Sequence, residues 1–342
     1  MRVEEGRVLR DLTTLRVGGP ARYVLTVEST DELVDALAFV REKSVPFVVL
    51  GEGSNVLASD EGYEGAVILM RIPGIAFTDA ADAMLVTAGA GESWDAFVSA
   101  CAEQGLWGVE NLAGIPGTVG AAPVQNIGAY GMELKDTLQE VIAVNATTGE
   151  QHTFDRDVCR FGYRDSRFKH EPELIITSVT FRLAKNSEPR IGYSDLKTAA
   201  TEGEDLSTPA AIGPTVRTIR ARKFPDLSQY GTAGSFFKNP IISQERFVEL
   251  AKTYGAIPSF PQENGVKVPL AYILDHVLSL RGYRKGPTFL FGNQPLVLVA
   301  DPTATANDVD ALARELESRV REATGIEIER EVRNLDAHEC RS

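Results

Sequence analysis

Along the first third of the chain, apolar residues alternate between helical spacing and the continuous runs of buried strands. Ser29 and Glu32 have the spacing of a capping box, and Leu33, Leu37 and Val40 follow on one helical face. This alternation is typical of an α/β arrangement. It also predicts a second helix at residues 93–105 and strands at residues 45–50, 65–70 and 84–88.

Further along, the apolar period shortens to two, which is the period of a half-buried strand. A short turn between residues 141–144 and 151–154 predicts a hairpin, and residues 175–183 predict a long strand with one buried face. The polar stretch 188–214 contains glycine and proline, and we expect the main domain boundary there.

Beyond that boundary the helical period returns. Ser243 and Asn307 are the predicted N-caps of two helices, and the second helix is long with a continuous apolar stripe. A helix over 268–280, a strand over 294–300 and a final strand through Arg333 complete the pattern. Helices and strands are therefore expected throughout the chain.

Composition narrows the possible functions. The chain has 342 residues, 43% hydrophobic and 24% charged, as in a globular protein of about two or three domains. A formal charge of −13 argues against nucleic-acid binding, which needs a basic face. No membrane-length apolar run, secretory signal, C-x-x-C pair or clustered histidines occur. We expect a cytoplasmic protein without a metal.

Two glycine-rich segments are candidate ligand cradles. Gly51 to Asn55 follows a predicted strand, and its backbone N–H groups could converge on an anion. Val56 stands where the dinucleotide fingerprint has its third glycine, so this segment alone is more simply a tight turn. In the run from Gly114 to Gly131, Gln125 and Asn126 interrupt the small residues. Contact with a flat, extended ligand explains that run better than close packing alone.

Further segments carry reactive or charged side chains. Ser235 has no nucleophile elbow around it, which disfavours a Ser-His-Asp hydrolase. As a proton donor its hydroxyl would need a strongly basic acceptor such as a carbanion. The cationic runs 160–166 and 217–223 suit carboxylate or phosphate, and Glu331 and Arg333 share one face of a strand. Taken singly, each charge is more simply surface charge or an ion pair.

Taken together and in order, these segments resemble the UDP-N-acetylenolpyruvoylglucosamine reductase family of bacterial cell-wall synthesis, the MurB family. Each motif is weak alone, whereas their ordered occurrence along nearly the whole chain is specific. Tyr193 marks the longer subgroup, in which a loop carrying this tyrosine closes over substrate. The matching segments are Thr13 to Gly19, Gly51 to Asn55, Ile115 to Gly131, Arg160 to Ser166, Gly234 to Pro240 and Glu331 to Arg333.

The resemblance implies an α+β fold. Its parts are an FAD-binding unit of the vanillyl-alcohol-oxidase and p-cresol-methylhydroxylase (PCMH/VAO) type, with two α+β subdomains, and a C-terminal α/β substrate-binding domain. Subdomain 1 is expected at 1–70 with the C-terminal strand 326–342 returning to it, subdomain 2 at 71–213, and the substrate domain at 214–325. This division agrees with the boundary expected from composition.

The resemblance also implies which residues hold the FAD pyrophosphate and isoalloxazine ring. Some relatives carry serines where this chain has Ala121 and Ala122, so phosphate contacts there are expected from backbone N–H groups. The expected cofactor-binding residues are Gly51, Glu52, Gly53, Ser54, Asn55, Ile115, Gly117, Gly120, Ala121, Ala122, Gln125, Asn126, Gly128, Ala129 and Arg333.

The implied reaction reduces an enolpyruvyl ether to a lactyl ether and gives UDP-N-acetylmuramate for peptidoglycan. NADPH reduces FAD, and hydride passes from flavin N5 to the terminal vinyl carbon, leaving negative charge beside the carboxylate. Arg164 and a protonated or hydrogen-bonding Glu331 would stabilise that charge, and Ser235 would protonate the adjacent carbon. The residues implied to bind the UDP-sugar are Tyr193, Lys223, Asn239 and Gln294.

Two rival functions share the same loops. A flavin-fold protein that only binds nucleotide could lack the serine and glutamate that this chain retains. An FAD-dependent oxidase often attaches FAD covalently through His or Tyr, but no histidine lies in the glycine-rich segments here. Release of yellow colour on acid precipitation would favour the reductase over the oxidase. We expect a monomer whose partners are the UDP-sugar and NADPH.

Overall fold

The computed structural model describes residues 1–335, which form three groups of elements in chain order. The first group contains β1 (Arg2–Glu5), β2 (Ala21–Val27), α1 (Thr30–Lys43), β3 (Phe47–Leu50), β4 (Val56–Ala58) and β5 (Tyr63–Met70). Strands β2, β5 and β3 pair in parallel, and β1 joins β2 antiparallel at the edge. Leu33, Leu37 and Val40 of α1 are buried in the same core as this sheet, as the helical spacing predicted.

Helix α1 begins at its predicted N-cap, but only half of the capping box forms. The Glu32 N–H donates to Ser29 Oγ at 3.1 Å, whereas the Glu32 carboxylate accepts the N–H of Glu28. A complete box requires the glutamate to accept the N–H of the N-cap residue itself.

The second group is built around a five-stranded antiparallel sheet in the order β11, β10, β12, β7 and β6. The predicted hairpin is β10–β11, and the predicted long strand is β12. The elements of this group are β6 (Ile75–Ala80), β7 (Ala83–Gly89), α2 (Trp94–Glu103), β8 (Gly128–Ala129), β9 (Met132–Glu133), β10 (Leu138–Asn145), β11 (Gln151–Asp155), α3 (Arg167–His170), β12 (Leu174–Ala184), α4 (Ser194–Thr201) and α5 (Pro209–Lys223).

Helices α4 and α5 occupy the polar stretch from which the boundary was predicted. Ile212, Val216 and Ile219 of α5 are buried in the core that the first and second groups share, and α5 packs against α2 of the second group. The predicted division between 213 and 214 therefore lies inside a helix. The glycine and prolines of this stretch do not prevent a helix: Pro209 stands in the first turn, where its missing N–H costs nothing, and Pro214 lies within the helix.

The third group contains two three-stranded sheets, β13–β15–β14 and β16–β17–β18. The helix predicted over 268–280 is shorter than expected. It is a single α-turn followed by a π-helix at Ile273–Val277, where the Leu278 N–H bonds to the Ile273 carbonyl. The elements of this group are β13 (Ile241–Ile242), α6 (Gln244–Tyr254), β14 (Phe260–Gln262), β15 (Gly265–Lys267), α7 (Leu270–Tyr272), β16 (Arg284–Lys285), β17 (Thr288–Phe291), β18 (Gln294–Ala300), α8 (Ala306–Thr324) and β19 (Arg333–Leu335).

Helix α8 begins earlier than predicted. Thr305, not Asn307, is its N-cap, because Thr305 and Asp308 form a complete capping box. The Asp60 carboxylate also accepts the N–H groups of Ala306 and Asn307, at 2.7 and 2.9 Å, and so ties the start of α8 to the first group.

The chain ends by returning to the first group. Strand β19 pairs in parallel with β4 of the first group. It is shorter than the strand expected over 326–342, of which residues 336–342 lie outside the described part of the chain. Within residues 1–335, no helix is long and apolar enough to cross a membrane. The return of β19 brings residues near 331 back toward the loop that joins β3 to β4.

Candidate active site

A large cavity, of about 680 Å³, is lined by all three groups. The β3–β4 loop at 51–55 and the small-residue run 114–128 contribute much of its wall. Arg164, Ser235 and Glu331 also line it. The structure thus brings together segments that are up to 280 residues apart in sequence.

Most of the predicted cofactor residues line this cavity. Asn126 and Ala129 do not. The predicted residues that do are Gly51, Glu52, Gly53, Ser54, Asn55, Ile115, Gly117, Gly120, Ala121, Ala122, Gln125, Gly128 and Arg333.

Side-chain hydrogen bonds join the two loops to each other. Glu52 Oε2 accepts the Gly117 N–H at 2.8 Å, and Ser54 Oγ donates to the carbonyl of Pro116 at 3.1 Å. Asn55 Nδ2 donates to Gln125 Oε1 at 2.9 Å. These contacts fix the spacing between the loops, so a ligand bound across them meets a preformed surface.

Two of the glycines are required by packing within the protein. A Cβ atom on Gly120 would lie 2.5 Å from Ala90 Cβ, and one on Gly51 would lie 2.4 Å from Thr118 Oγ1. Close packing, the simpler interpretation of the run 114–131, therefore accounts for Gly120, and Gly51 is required by its contact with Thr118. Close packing does not account for the cavity that the same loops enclose.

Asn126 joins protein segments to each other. It is fully buried in the left-handed region at φ 44°, and its Nδ2 donates to Glu133 Oε2 and to the Gly162 carbonyl, both at 3.0 Å. Its Oδ1 accepts the Lys135 N–H at 3.1 Å. These bonds use both amide hydrogens, so they leave none for a cofactor.

Ser235 and Glu331 are held together by backbone pairing. The Phe236 N–H donates to the Leu296 carbonyl at 3.0 Å, and the Glu331 N–H donates to the Phe236 carbonyl at 2.9 Å. The segment that carries Ser235 therefore lies between β18 and the chain that leads into β19.

Arg164 links this pair to the small-residue run. Its Nε lies 3.1 Å from Glu331 Oε1, and its Nη2 donates to the Gly128 carbonyl at 2.9 Å. The Glu331 side chain is 12% exposed. Burial raises the pKa of the Glu331 carboxyl, while the nearby charges of Arg164, Lys169 and Lys238 act in the opposite direction.

Lys169 and Lys238 add positive charge that the motifs did not single out. Lys169 lines the cavity, and its Nζ donates to the Arg164 carbonyl at 3.1 Å. Burial, and then the charge of Lys238, lowers the pKa of Lys169. Both lysines lie within or just beyond the quoted motifs, but only the fold places them near Glu331.

The four predicted substrate residues lie outside the cavity lining. Tyr193 precedes α4, is 44% exposed, and packs its ring edge-on against Tyr130 with centroids 5.4 Å apart. Lys223 Nζ donates to Asp195 Oδ2 at 2.5 Å. Neither Tyr130 nor Asp195 was singled out from the sequence as a candidate site residue, although Tyr130 lies in the matching segment Ile115 to Gly131 and Asp195 lies two residues after Tyr193.

The other two predicted substrate residues are placed by their neighbours. Asn239 Oδ1 accepts the Leu270 N–H at 2.9 Å. Gln294 begins β18, directly after Asn293, whose Nδ2 donates to the Arg222 carbonyl at 2.8 Å. Gln294 therefore lies near the C-terminal end of α5, where Lys223 is also found.

The residues present fit an FAD-class ligand. Trp94, Ile175 and Ile176 supply an apolar wall, and the buried Arg220 supplies positive charge, with its Nε donating to the Gly114 carbonyl at 2.8 Å. Preformed loops of small residues, an apolar wall and arginine suit a dinucleotide with a flat ring and a diphosphate.

Comparison with known proteins agrees with this fit. The family model described as FAD binding domain matches residues 21–155, and that described as UDP-N-acetylenolpyruvoylglucosamine reductase, C-terminal domain matches residues 226–335. The crystal structure of UDP-N-acetylenolpyruvylglucosamine reductase from Thermus caldophilus has a TM-score of 0.67 at 27% identity, covering 98% of this chain and 100% of that one. Fold and site thus define an FAD-dependent oxidoreductase with an α+β fold.

Relatives with closer sequences identify the family. The UDP-N-acetylenolpyruvoylglucosamine reductase of Chromobacterium violaceum is 40% identical over 94% of this chain and 96% of its own length. That of Pseudomonas aeruginosa is 38% identical over 97% of this chain and 98% of its own length. The chain belongs to the UDP-N-acetylenolpyruvoylglucosamine reductase (MurB) family. The predicted family, fold class and FAD cofactor are confirmed.

Gly120→Ala is expected to weaken FAD binding about tenfold or more, because the new Cβ would push the loop away from Ala90. Fluorescence titration of the apoprotein with FAD measures the change. Gly292→Ala is the matched control, since a Cβ there meets nothing within 4 Å. Equal FAD affinity in the Gly120 variant and wild type would show that the contact with Ala90 does not position the loop.

Proposed function

We propose that this cavity carries out the reductive step of peptidoglycan precursor synthesis, in which the enolpyruvyl double bond of UDP-N-acetylenolpyruvoylglucosamine is reduced to give UDP-N-acetylmuramate. The observation that carries the proposal is the linkage of Ser235, Glu331 and Arg164 on the wall of a cavity that two small-residue loops also line. FAD, reduced by NADPH, supplies the hydride when bound. The residues of the chain supply charge stabilisation, a proton and binding contacts.

Arg164 and Glu331 are proposed to stabilise the charge that develops beside the substrate carboxylate. Arg164 is fixed by the Gly128 carbonyl and by Glu331, so its guanidinium needs no reorganisation as charge appears. The raised pKa of Glu331 favours its neutral carboxyl, which can donate a hydrogen bond to a developing anion.

Ser235 is proposed to protonate the substrate carbon that bears this charge. A hydroxyl is a weak acid, but a carbanion is a base strong enough to take its proton. The backbone pairing on both sides of Phe236 holds Ser235 in place, as a positioned proton donor requires.

Cofactor and substrate contacts are proposed separately. The predicted cofactor residues that line the cavity hold FAD. Asn126 lies outside the lining and stabilises the small-residue run through hydrogen bonds to other protein segments. Tyr193, Lys223, Asn239 and Gln294 bind the UDP-sugar at the end of α5. Because Lys223 is paired with Asp195, a substrate phosphate has to replace that carboxylate at the ammonium group.

The division into units is proposed in a modified form. Subdomain 1 comprises 1–70 with β19, and subdomain 2 extends to Lys223 so that α5 stays whole. The substrate-binding domain then covers 224–325. The packing of the α5 apolar face against α2, in the core that contains the second sheet, supports this boundary.

The reaction is proposed to take place in the cytoplasm, on a monomer. Cys101 and Cys159 are free thiols, which suits a reducing compartment. Light scattering on the eluting protein should give the mass of one chain. A dimer mass would contradict the monomer, and cell fractionation checks the compartment.

Ser235→Ala should leave reduction of the bound flavin by NADPH at the wild-type rate. Reoxidation by the enolpyruvyl substrate should slow about 100-fold or more, which is the usual effect of losing a positioned proton donor. Anaerobic stopped-flow absorbance measures both half-reactions, and Ser187→Ala, at an exposed serine, is the control. Wild-type rates in both half-reactions would exclude Ser235 as the donor.

Glu331→Gln should slow the second half-reaction about tenfold or more and change its pH profile. In the wild type that rate is expected to fall as pH rises through the raised pKa of Glu331, because deprotonation removes the donated hydrogen bond. In the Gln variant this fall should disappear. Glu327→Gln, at an exposed carboxylate, is the control. A pH profile identical to that of the wild type would remove Glu331 from the site.

A further inference from the structure

A second cavity, of about 320 Å³, lies beside β1 and the ends of β2 and β5. Arg2, Arg7 and Arg71 line it, together with Thr13 and Thr26. The remaining lining residues are Asp11, Leu12, Glu52 and Leu69. Glu52 lines both this cavity and the large one, so the two are neighbours across the β3–β4 loop.

Arg71 places a positive charge in this cavity. Its Nη1 donates to the carbonyls of Gly51 and Met70, at 3.0 and 2.8 Å, and it forms no ion pair within residues 1–335. Burial lowers the pKa of Arg71, the charge of Glu52 acts in the opposite direction, and that of Arg7 lowers it further. Partial burial of a guanidinium without an ion pair is costly, and its other N–H groups remain available to an anion.

Two hydroxyl groups in the same cavity also lack partners. The Oγ1 atoms of Thr13 and Thr26 are buried and make no hydrogen bond in the described part of the chain. Thr13 as a whole is only 7% exposed. An unsatisfied buried hydroxyl costs free energy, whereas a bound oxyanion would accept a hydrogen bond from it.

We propose that this second cavity binds a small oxyanion of the phosphate class, either the free ion or a phosphomonoester group. Arg71 and Arg7 would bind its charge, and Thr13 and Thr26 would donate hydrogen bonds. Arg7 also pairs with Glu4 at 3.0 Å, and would share its guanidinium between that carboxylate and the anion.

The charge balance limits what the site can hold. Three arginines and the carboxylates of Asp11 and Glu52 line the cavity, and Glu4, outside the lining, pairs with Arg2 and Arg7. The local charges therefore balance, so a single phosphate group bound at Arg71 fits better than a polyphosphate, which would lie against the carboxylates.

The site adjoins the groups that hold the cofactor loops. Arg71 donates to the carbonyl of Gly51, and Glu52 accepts the N–H of Gly117. An anion beside Arg71 and Glu52 would therefore be expected to stabilise the loops, and by linkage to strengthen FAD retention.

Isothermal titration of the FAD-loaded protein with inorganic phosphate, and separately with glycerol 3-phosphate, tests the proposal at constant ionic strength in chloride. One saturable site is expected. Thr26→Val should weaken binding about fivefold and Arg7→Gln about tenfold, as expected for losing a neutral and a charged hydrogen bond. Arg22→Gln is the control. Arg22 lies in β2, is exposed with its guanidinium over the ring of Tyr23, and does not line the cavity.

The two titrants distinguish the sources of the anion. Binding of inorganic phosphate alone assigns the site to the free ion, and equal or tighter binding of glycerol 3-phosphate assigns it to a phosphomonoester. Absence of binding, unchanged affinity in both variants, or displacement of FAD by phosphate overturns the proposal. Displacement would mean that the cavity belongs to the cofactor site.

Thermal unfolding of the same holoprotein gives an independent readout. Without phosphate, Thr26→Val should unfold at the wild-type temperature or above, because it removes a hydroxyl that has no partner. Phosphate should raise the wild-type midpoint more than that of the variant. An equal rise of the midpoint in the wild type and the variant would indicate general stabilisation by salt and would contradict the proposed phosphate site.

Discussion

The contact between Arg164 and Glu331 is the interaction on which the active site depends. Glu331 is buried, and burial by itself favours its neutral form, while the guanidinium 3.1 Å away favours the charged form. The net effect is a raised pKa, so the neutral carboxyl of Glu331 is more accessible than that of an exposed glutamate, next to a fixed positive charge. Loss of either partner would leave the other buried without compensation, which is more costly than the contact is stabilising.

The geometry of this pair depends on how the chain closes. Glu331 and β19 come from the last described residues, yet they lie against the loop between β3 and β4. Asn55 donates from Nδ2 to the Glu331 carbonyl at 3.1 Å, and the Arg333 N–H donates to the Asn55 carbonyl at 3.1 Å. Asp60 adds the link to the start of α8. The Glu331 carboxyl, for which we propose a catalytic role, is therefore positioned by the same loop that lines the large cavity.

The polar groups around the cavity serve two different purposes. Asn126 and Glu52 use their side chains to hold loops, and their bonds are to the protein. Lys223 is in a different position, because its partner Asp195 is a side chain that a stronger anion can replace. The hydrogen bonds of the Asn126 amide to protein groups are not exchanged for bonds to a ligand anion. The Lys223–Asp195 ion pair lies near solvent, where another anion can take the place of the carboxylate.

The sequence by itself determined the local elements and the family. Helical spacing located α1, α2 and α6, alternation located β10, β11 and β12, and the ordered motifs identified the flavoenzyme family with Ser235, Arg164 and Glu331 as candidates. Only the tertiary structure decided that one face of α5 is buried and that Thr305 caps α8. It also decided that Asn126 hydrogen-bonds to protein groups and that Lys169 lies near Glu331. The hydrophobic period of a segment shows which of its faces is apolar. Contacts between segments hundreds of residues apart depend on how the buried faces pack, and a local pattern does not record that packing.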